Sequence, residues 1–347
     1  MNKPQYYVGI DIASATFTSA IGSIGAQWQI IVKPVQFANE YDSFSKYLKW
    51  LQDHGIKPEN SVICMEATGV YNELLAHFLR ANHYEVVIEP PLNVKRAFHP
   101  VGHKSDPVDS CKISEYAYRF WDKLSFWYPR QDVLEQVKTL LATREQFVGE
   151  RTAHRNALLA LKRKAIRTGL AENVHEKALA ELKEHIQQIE AEIRRLINQN
   201  PDFRNIVTLL MSIPGVGLLL AAHLLVVIQS APLPLSPKSL AAFIGICPYQ
   251  DSSGSSIYHK PTSRHYGPPG LRKLLFLASL SISVHNPLFR TYFLRKVQEG
   301  KPKQLVMNNI ANKLLKIIAA VVRTNTTFIA NYRSVNPALL NRALTKS

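Results

Sequence analysis

Three short apolar runs within the first thirty-five residues constrain the fold more than any other feature of this sequence. They read "YYVGIDI" at 6–12, "TFTSAIG" at 16–22 and "QWQIIVKPV" at 27–35. Each is rich in β-branched and aromatic residues, and short turns containing Gly or Ser separate them, so three meandering strands are expected. The period then changes. "YDSFSKYLKWLQDH" places Phe44, Tyr47, Leu48 and Leu51 on one helical face. "SVICME" and "YEVVIEP" read as short buried strands, with "YNELLAHFLRAN" a helix between them and "DPVDSCKISEYAYRFW" a closing helix.

Meandering strands followed by alternating helices and strands give the order of an α/β domain of ribonuclease H-like type, assigned here to residues 1–130. Residues 131–200 turn helical and charge-rich. They are expected to form a coiled-coil arm of two antiparallel helices joined near "TGLAEN", either as a subunit contact or as an internal hairpin. Residues 201–347 are expected to be mainly helical. There "LLMSIPGVGLLLAAHLL" has the outline of a helix-hairpin-helix-like element. Gly215 and Gly217 would let the backbone come close to a phosphate at the second helix start, although an ordinary helical turn has the same outline. No formal charge occurs from Asn205 to Pro237, but "IPGVG" interrupts the apolar run and His223 lies inside it. A buried helix is expected there and no membrane span.

Charge is unevenly placed. The formal net charge is +16, yet residues 1–130 hold 13 Lys and Arg against 13 Asp and Glu. Residues 201–347 hold 17 against 3. A basic region so poor in acids is the footprint of phosphate contact, and Lys104, Lys260, Arg264, Arg272 and Lys273 are candidate nucleic-acid contacts. The three cysteines, Cys64, Cys111 and Cys247, match no zinc spacing. Together with an N-terminus that lacks a charged-then-apolar leader pattern, they point to a reducing cytoplasm.

Four acids stand where packing would not choose them. Asp11 lies inside the first apolar strand, Glu66 ends the run "VICME", and Asp106 and Asp109 sit three apart in "KSDPVDS". Singly, each has an ordinary reading. Asp106 before Pro107 is a good helix start, for example. Together, adjacent strand ends and a closing helix can gather them, and carboxylates so gathered repel one another unless cations intervene. Two Mg²⁺ ions would suit an all-oxygen site of this kind and could assist phosphoryl transfer.

A further oddity is the Ser/Gly cluster in "PYQDSSGSSIYHK" at 248–260. It reads as a surface loop or as a reactive hydroxyl in a basic setting. Taken in order, "YVGIDIA", "MEATGVY", "KSDPVDS", "SIPGVG", "AFIGICPYQDSSGSS" and "GLRKLLFLAS" resemble the DEDD transposases of bacterial insertion sequences. These are RNA-guided recombinases with a RuvC-like domain and a separate serine-bearing domain. The resemblance implies that Asp11, Glu66, Asp106 and Asp109 form the acidic tetrad and that Ser253 is the nucleophile, with Ser252 its main rival. It also implies a phosphoserine link to DNA, donor and target DNA partners, a structured guide RNA, and a dimer or tetramer. One departure stands out: "SRHYGPPG" places His265 near an expected lysine. A metal-dependent nuclease or junction resolvase that uses water instead of serine would share the carboxylates and the basic surface.

Overall fold

A computed structural model describes residues 3–25, 27–98, 106–230, 236–253, 257–263 and 267–330, with the backbone alone for 230, 250–253 and 257–262. The chain forms two compact units, Met1–Arg130 and Gln131–Ser347.

The first unit opens with β1 (Tyr6–Ile12), β2 (Thr16–Ile24) and β3 (Trp28–Ala38). These three pair antiparallel, as their short turns require. After α1 (Tyr41–Asp53) come β4 (Ser61–Glu66), α2 (Glu73–Ala81), β5 (Val86–Glu89), α3 (Pro91–Ala97) and α4 (Asp106–Arg119). Both β4 and β5 join in parallel, and the sheet order is β3-β2-β1-β4-β5. Helical crossovers make the parallel half possible, and they leave both faces of the sheet covered.

Strand alternation divides that sheet into two apolar faces. Val8, Ile10, Ile12, Ile63, Met65 and Val86 share one core with Phe44, Tyr47 and Leu51 of α1 and with Leu75 and Leu79 of α2. Tyr7, Val62, Cys64 and Val87 share another with Ile113, Tyr116 and Ala117 of α4. Within the first core the Phe17 and Tyr47 rings meet edge-on at 4.9 Å, and the Tyr47 hydroxyl finds Ser19 at 2.9 Å. A buried phenol needs such a partner, so the contact fixes how α1 sits on the sheet.

The second unit begins with α5 (Asp132–Leu161) and α6 (Gly169–Gln199). They run antiparallel, as the ion pairs Arg144–Glu190 at 2.6 Å and Lys162–Glu176 at 2.8 Å require. The break between them falls at residues 162–168 and ends on Thr168, the first residue of "TGLAEN", near which the joint was expected. Next come α7 (Pro201–Met211), α8 (Leu218–Ser230) and α9 (Pro237–Ile244), then the strands β6 (Pro248–Ser253) and β7 (Ile257–Ser263). The helices α10 (Pro269–His285), α11 (Pro287–Gln298) and α12 (Lys303–Thr324) complete the unit. Leu134, Val137 and Leu141 of α5 and Ile193, Leu196 and Ile197 of α6 bury into one core with α7, α8, α10 and α12. The base of the hairpin is therefore rooted in the helical body.

Helix α12 is the one described helix long and apolar enough to cross a membrane by composition, but half of its apolar window is buried. Val306, Ile310, Leu314 and Ile318 recur every three or four residues on its buried face. That spacing is the signature of a core helix.

Candidate active site

The same alternation that divides the sheet also sets the acids. Tyr7 faces α4, and the period of two puts Gly9 and Asp11 on that side of β1. Val62 and Cys64 carry Glu66 to the same side of β4. Ile10 of β1 pairs in parallel with Met65 of β4, so Asp11 and Glu66 follow at neighbouring strand ends.

Gly9 allows the helix to come in. A Cβ at this position would stand 2.1 Å from the Ser110 carbonyl oxygen and 2.3 Å from the Ser114 amide nitrogen. Helix α4 thus rests directly on the backbone of β1, where the Ser114 hydroxyl donates to the Tyr7 carbonyl at 2.7 Å. That contact brings the first turn of α4, with Asp106 and Asp109, over the end of β1.

The result is a cavity of about 260 Å³ lined by Asp11, Glu66, Asp106 and Asp109 together with Thr16, Thr18 and Thr68. The Thr68 hydroxyl donates to the Ile12 carbonyl at 3.2 Å, and the Asn72 amide donates to the Glu66 carbonyl at 3.2 Å. These two bonds hold the turn after β4 against the end of β1. Asp109 pairs with Lys112 at 3.2 Å. Carboxylates and hydroxyls form an all-oxygen donor set suited to hard divalent cations such as Mg²⁺. Among the described residues, no three His, Cys, Asp or Glu side chains are grouped closely enough to enclose an ion. The fit is therefore one of donor type and shared cleft.

One acid escaped the sequence reading. Glu89 ends β5 directly beside Glu66 and is only 8% exposed. Asn93 donates to its carboxylate at 3.0 Å. Burial, with Glu89 beside it, pushes the Tyr116 hydroxyl up to about 12. Burial also raises the Cys64 thiol, helped by Glu89 and Glu66, so this cysteine is an inert core residue. "VVIE" and "VICME" carry the same signal, an acid closing an apolar strand.

The described part of the Ser/Gly cluster, Ser252 and Ser253, lies in a strand that pairs antiparallel with β7. Ser253 is the last residue of β6, paired with Ile257, and Ser252 pairs with Tyr258. Lys260 falls within β7. His103, Lys104, Gly254, Ser255, Ser256, Arg264 and His265 lie outside the described residues.

Both ends of the hairpin are tied to the helical body. The Ile246 carbonyl accepts from the Asn308 amide at 3.2 Å and from the Ser263 hydroxyl at 3.4 Å. The Arg272 guanidinium donates to the Ile244 carbonyl at 3.1 Å, while its neighbour Lys273 is exposed. At Gly267 a Cβ would fall 1.9 Å from the Phe243 carbonyl oxygen. In the α7–α8 turn, Gly215 has φ +81° and a Cβ there would stand 2.9 Å from the Ala278 carbonyl oxygen, so it is needed for packing against α10. Around Gly217 the space is open.

Residues 8–165 match a transposase family of the DEDD IS110 type, and residues 207–294 match the transposase IS116/IS110/IS902 family. The pilin gene-inverting protein of Moraxella lacunata is 31% identical over 329 residues, spanning 93% of this chain and 97% of the relative. Its namesake in Moraxella bovis is 30% identical over the same shares. A solved structure of T. thermophilus RuvC in complex with a Holliday junction substrate overlaps 35% of this chain and 99% of its own. Its identity is 15% and its TM-score 0.26, a likeness too loose to bear on mechanism. The class is that of recombinases and transposases, enzymes acting on DNA. Within it, the chain belongs to the IS110 family of transposases.

Proposed function

We propose that this transposase cuts and rejoins DNA by transesterification through Ser253, assisted by Asp11, Glu66, Asp106 and Asp109. The observation that carries the reading is the cavity lined by all four carboxylates, drawn from three separate stretches of sequence. The serine hydroxyl attacks a DNA phosphorus, its proton leaves to a base, and the displaced sugar oxygen takes up a proton. One phosphoester forms as one breaks, so the reverse attack by a second strand end rejoins DNA without an outside energy source. An unassisted serine hydroxyl is a weak nucleophile and needs an activating setting. Mg²⁺ ions held by the four carboxylates would supply charge stabilisation at the phosphate. Among the residues themselves, Asp11 and Glu66 are fixed by strand ends and Asp106 and Asp109 by a helix terminus, so the donors are positioned before substrate arrives.

Serine and carboxylates belong to different units, which allows them to come from different subunits of a dimer or tetramer. The basic C-terminal region and the hairpin are the reading's DNA-facing parts, with Gly217, Lys260 and Lys273 as backbone contacts. A structured guide RNA pairing with donor and target DNA would leave the protein to read shape and phosphate. Inversion of a gene, the activity in the name of the Moraxella relatives, needs strands broken and rejoined, which is the same chemistry.

The test incubates the protein with its element's DNA, RNA from the element's flank and Mg²⁺, followed by peptide mapping for a DNA adduct. The adduct should fall on Ser253. Ser253→Ala should lower strand exchange by on the order of 10³-fold or more. Asp11→Asn and Asp109→Asn should bind DNA and fail to form the adduct. Free ends released at the normal rate by Ser253→Ala would instead identify a water-using nuclease, and an adduct on Ser252 would move the nucleophile by one residue.

A further inference from the structure

Ion pairs run along the helical hairpin. Glu190 takes Arg144, Glu176 takes Lys162, Glu172 takes Arg167, and Glu192 takes Arg195. Midway along, that pattern fails. Arg151 and Arg155 of α5 and Lys183 of α6 line a cavity of about 230 Å³ between the helices, and none of the three has an ion-pair partner among the described residues. Acids adjacent in sequence are engaged elsewhere: Glu150 accepts from Gln146 at 2.9 Å, and Glu184 accepts from Gln188 at 3.2 Å.

Such an arrangement does not serve stability. Arg151 and Arg155 are four apart on one helix, where like charges repel, and Lys183 adds a third from across the cleft. A hairpin selected only to fold would place an acid at one of these positions, as it does about two turns away on either side. Three convergent donors of one sign around an open cleft suit an anion with several oxygens. Arginine forks in particular match phosphate geometry. For an enzyme acting on DNA, the phosphate at hand is the backbone of a nucleic acid.

We infer that the cleft formed by Arg151, Arg155 and Lys183 is a phosphodiester-binding site that holds a nucleic-acid backbone against the arm. The site is independent of Ser253 and of the acidic cavity, so it stands or falls separately from the reaction scheme above. Its ligand chemistry is common to DNA and RNA, and the site would act as a positioning contact away from the reacting atoms.

The experiment compares the full-length protein with a triple variant, Arg151→Gln, Arg155→Gln, Lys183→Gln. A control triple on the same arm, Arg163→Gln, Lys164→Gln, Lys177→Gln, removes equal charge outside the cleft. Binding to a thirty-base-pair DNA duplex and to an RNA hairpin of similar charge is measured across a NaCl series. The cleft triple should weaken binding to at least one of the two by about tenfold at 0.15 M salt. It should also flatten the dependence of log Kd on log salt by about 2 to 3. The control should move the slope by less than about 1. Loss confined to RNA identifies a guide-RNA contact, and loss confined to DNA identifies a duplex contact. The thermal midpoint of the cleft triple should hold or rise, because a repulsive cluster has been removed; a merely structural cluster would lower it. Equal losses in both triples, or unchanged binding in the cleft triple, would overturn the site.

Discussion

In Met1–Arg130 the four cavity-lining acids are placed by backbone. Strand alternation fixes Asp11 and Glu66, and a glycine lets α4 lie on β1 to bring Asp106 and Asp109 in. In Gln131–Ser347 the serine-bearing hairpin is placed by side chains. Asn308, sixty-two residues from its carbonyl partner Ile246, ties the approach to the hairpin to α12, and Arg272, twenty-eight from its own partner Ile244, ties the end of α9 to α10. Close backbone packing, as at Gly9, tolerates little. Side-chain placement is more adjustable. A cavity of rigidly placed carboxylates and a tethered serine hairpin are thus built to different tolerances within one chain.

The largest break in that comparison should come from Gly9→Ala. Its Cβ meets backbone, not the end of a flexible side chain, so α4 has to lift from the sheet. A loss of about 3 kcal/mol or more is expected, with the acidic cavity opened and strand cleavage abolished. Thermal melting and cleavage measured together check it. Gly217→Ala is the contrasting change, because its Cβ enters open space. It should alter stability by less than about 1 kcal/mol. If Gly217 marks a close DNA approach, the same variant weakens DNA binding with its melting unchanged.

A middle-sized effect should separate positioning from binding in the helical unit. Asn308→Ala leaves the Ile246 carbonyl with only the longer Ser263 bond, which loosens one end of the hairpin at a cost of about 1 kcal/mol. Adduct formation at saturating DNA should slow roughly tenfold with the DNA Kd unchanged, since about 1.4 kcal/mol is one decade in rate. A matching loss of DNA affinity would show Asn308 acting in binding instead of in placement.

This contrast also explains what the sequence disclosed. Strands β1 to β5 were legible because their apolar patterning is local, and Asp11 was conspicuous because it interrupts such a pattern. Glu89 went unread although it closes an apolar strand as Glu66 does; its closeness to Glu66 comes from strand pairing, which no single segment states. "PYQDSS" has no apolar alternation, and its strand state comes from antiparallel pairing with "IYHKPTS". The short helices α3 and α9 were unread for a similar reason. At seven and eight residues, each is too short to display a period. Arg272 was expected on phosphate, yet its guanidinium reaches a carbonyl inside its own unit. Charge type was legible in the sequence, but its direction was not.

A last effect concerns acid and confines itself to the helical unit. His223 on α8 is pushed down to about 4, mainly by burial and secondly by the Arg144 guanidinium. Its ordinary value in an unfolded chain is near 6.5, so between about 6.5 and 4 the unfolded chain binds a proton that the folded one refuses. Stability from this residue is therefore complete above about 6.5 and drains away as pH falls toward 4. Between pH 7.5 and 5 the loss should be about 2 kcal/mol. Replacing His223 with Gln removes the proton site, so the variant's melting should shift less over that pH interval than the wild type's. The Met1–Arg130 unit does not contain this histidine, and its own transition should respond identically in both proteins. If the His223→Gln curve runs parallel to wild type across the interval, burial of a neutral imidazole contributes nothing to the acid sensitivity, and the difference between the units has to lie in another group.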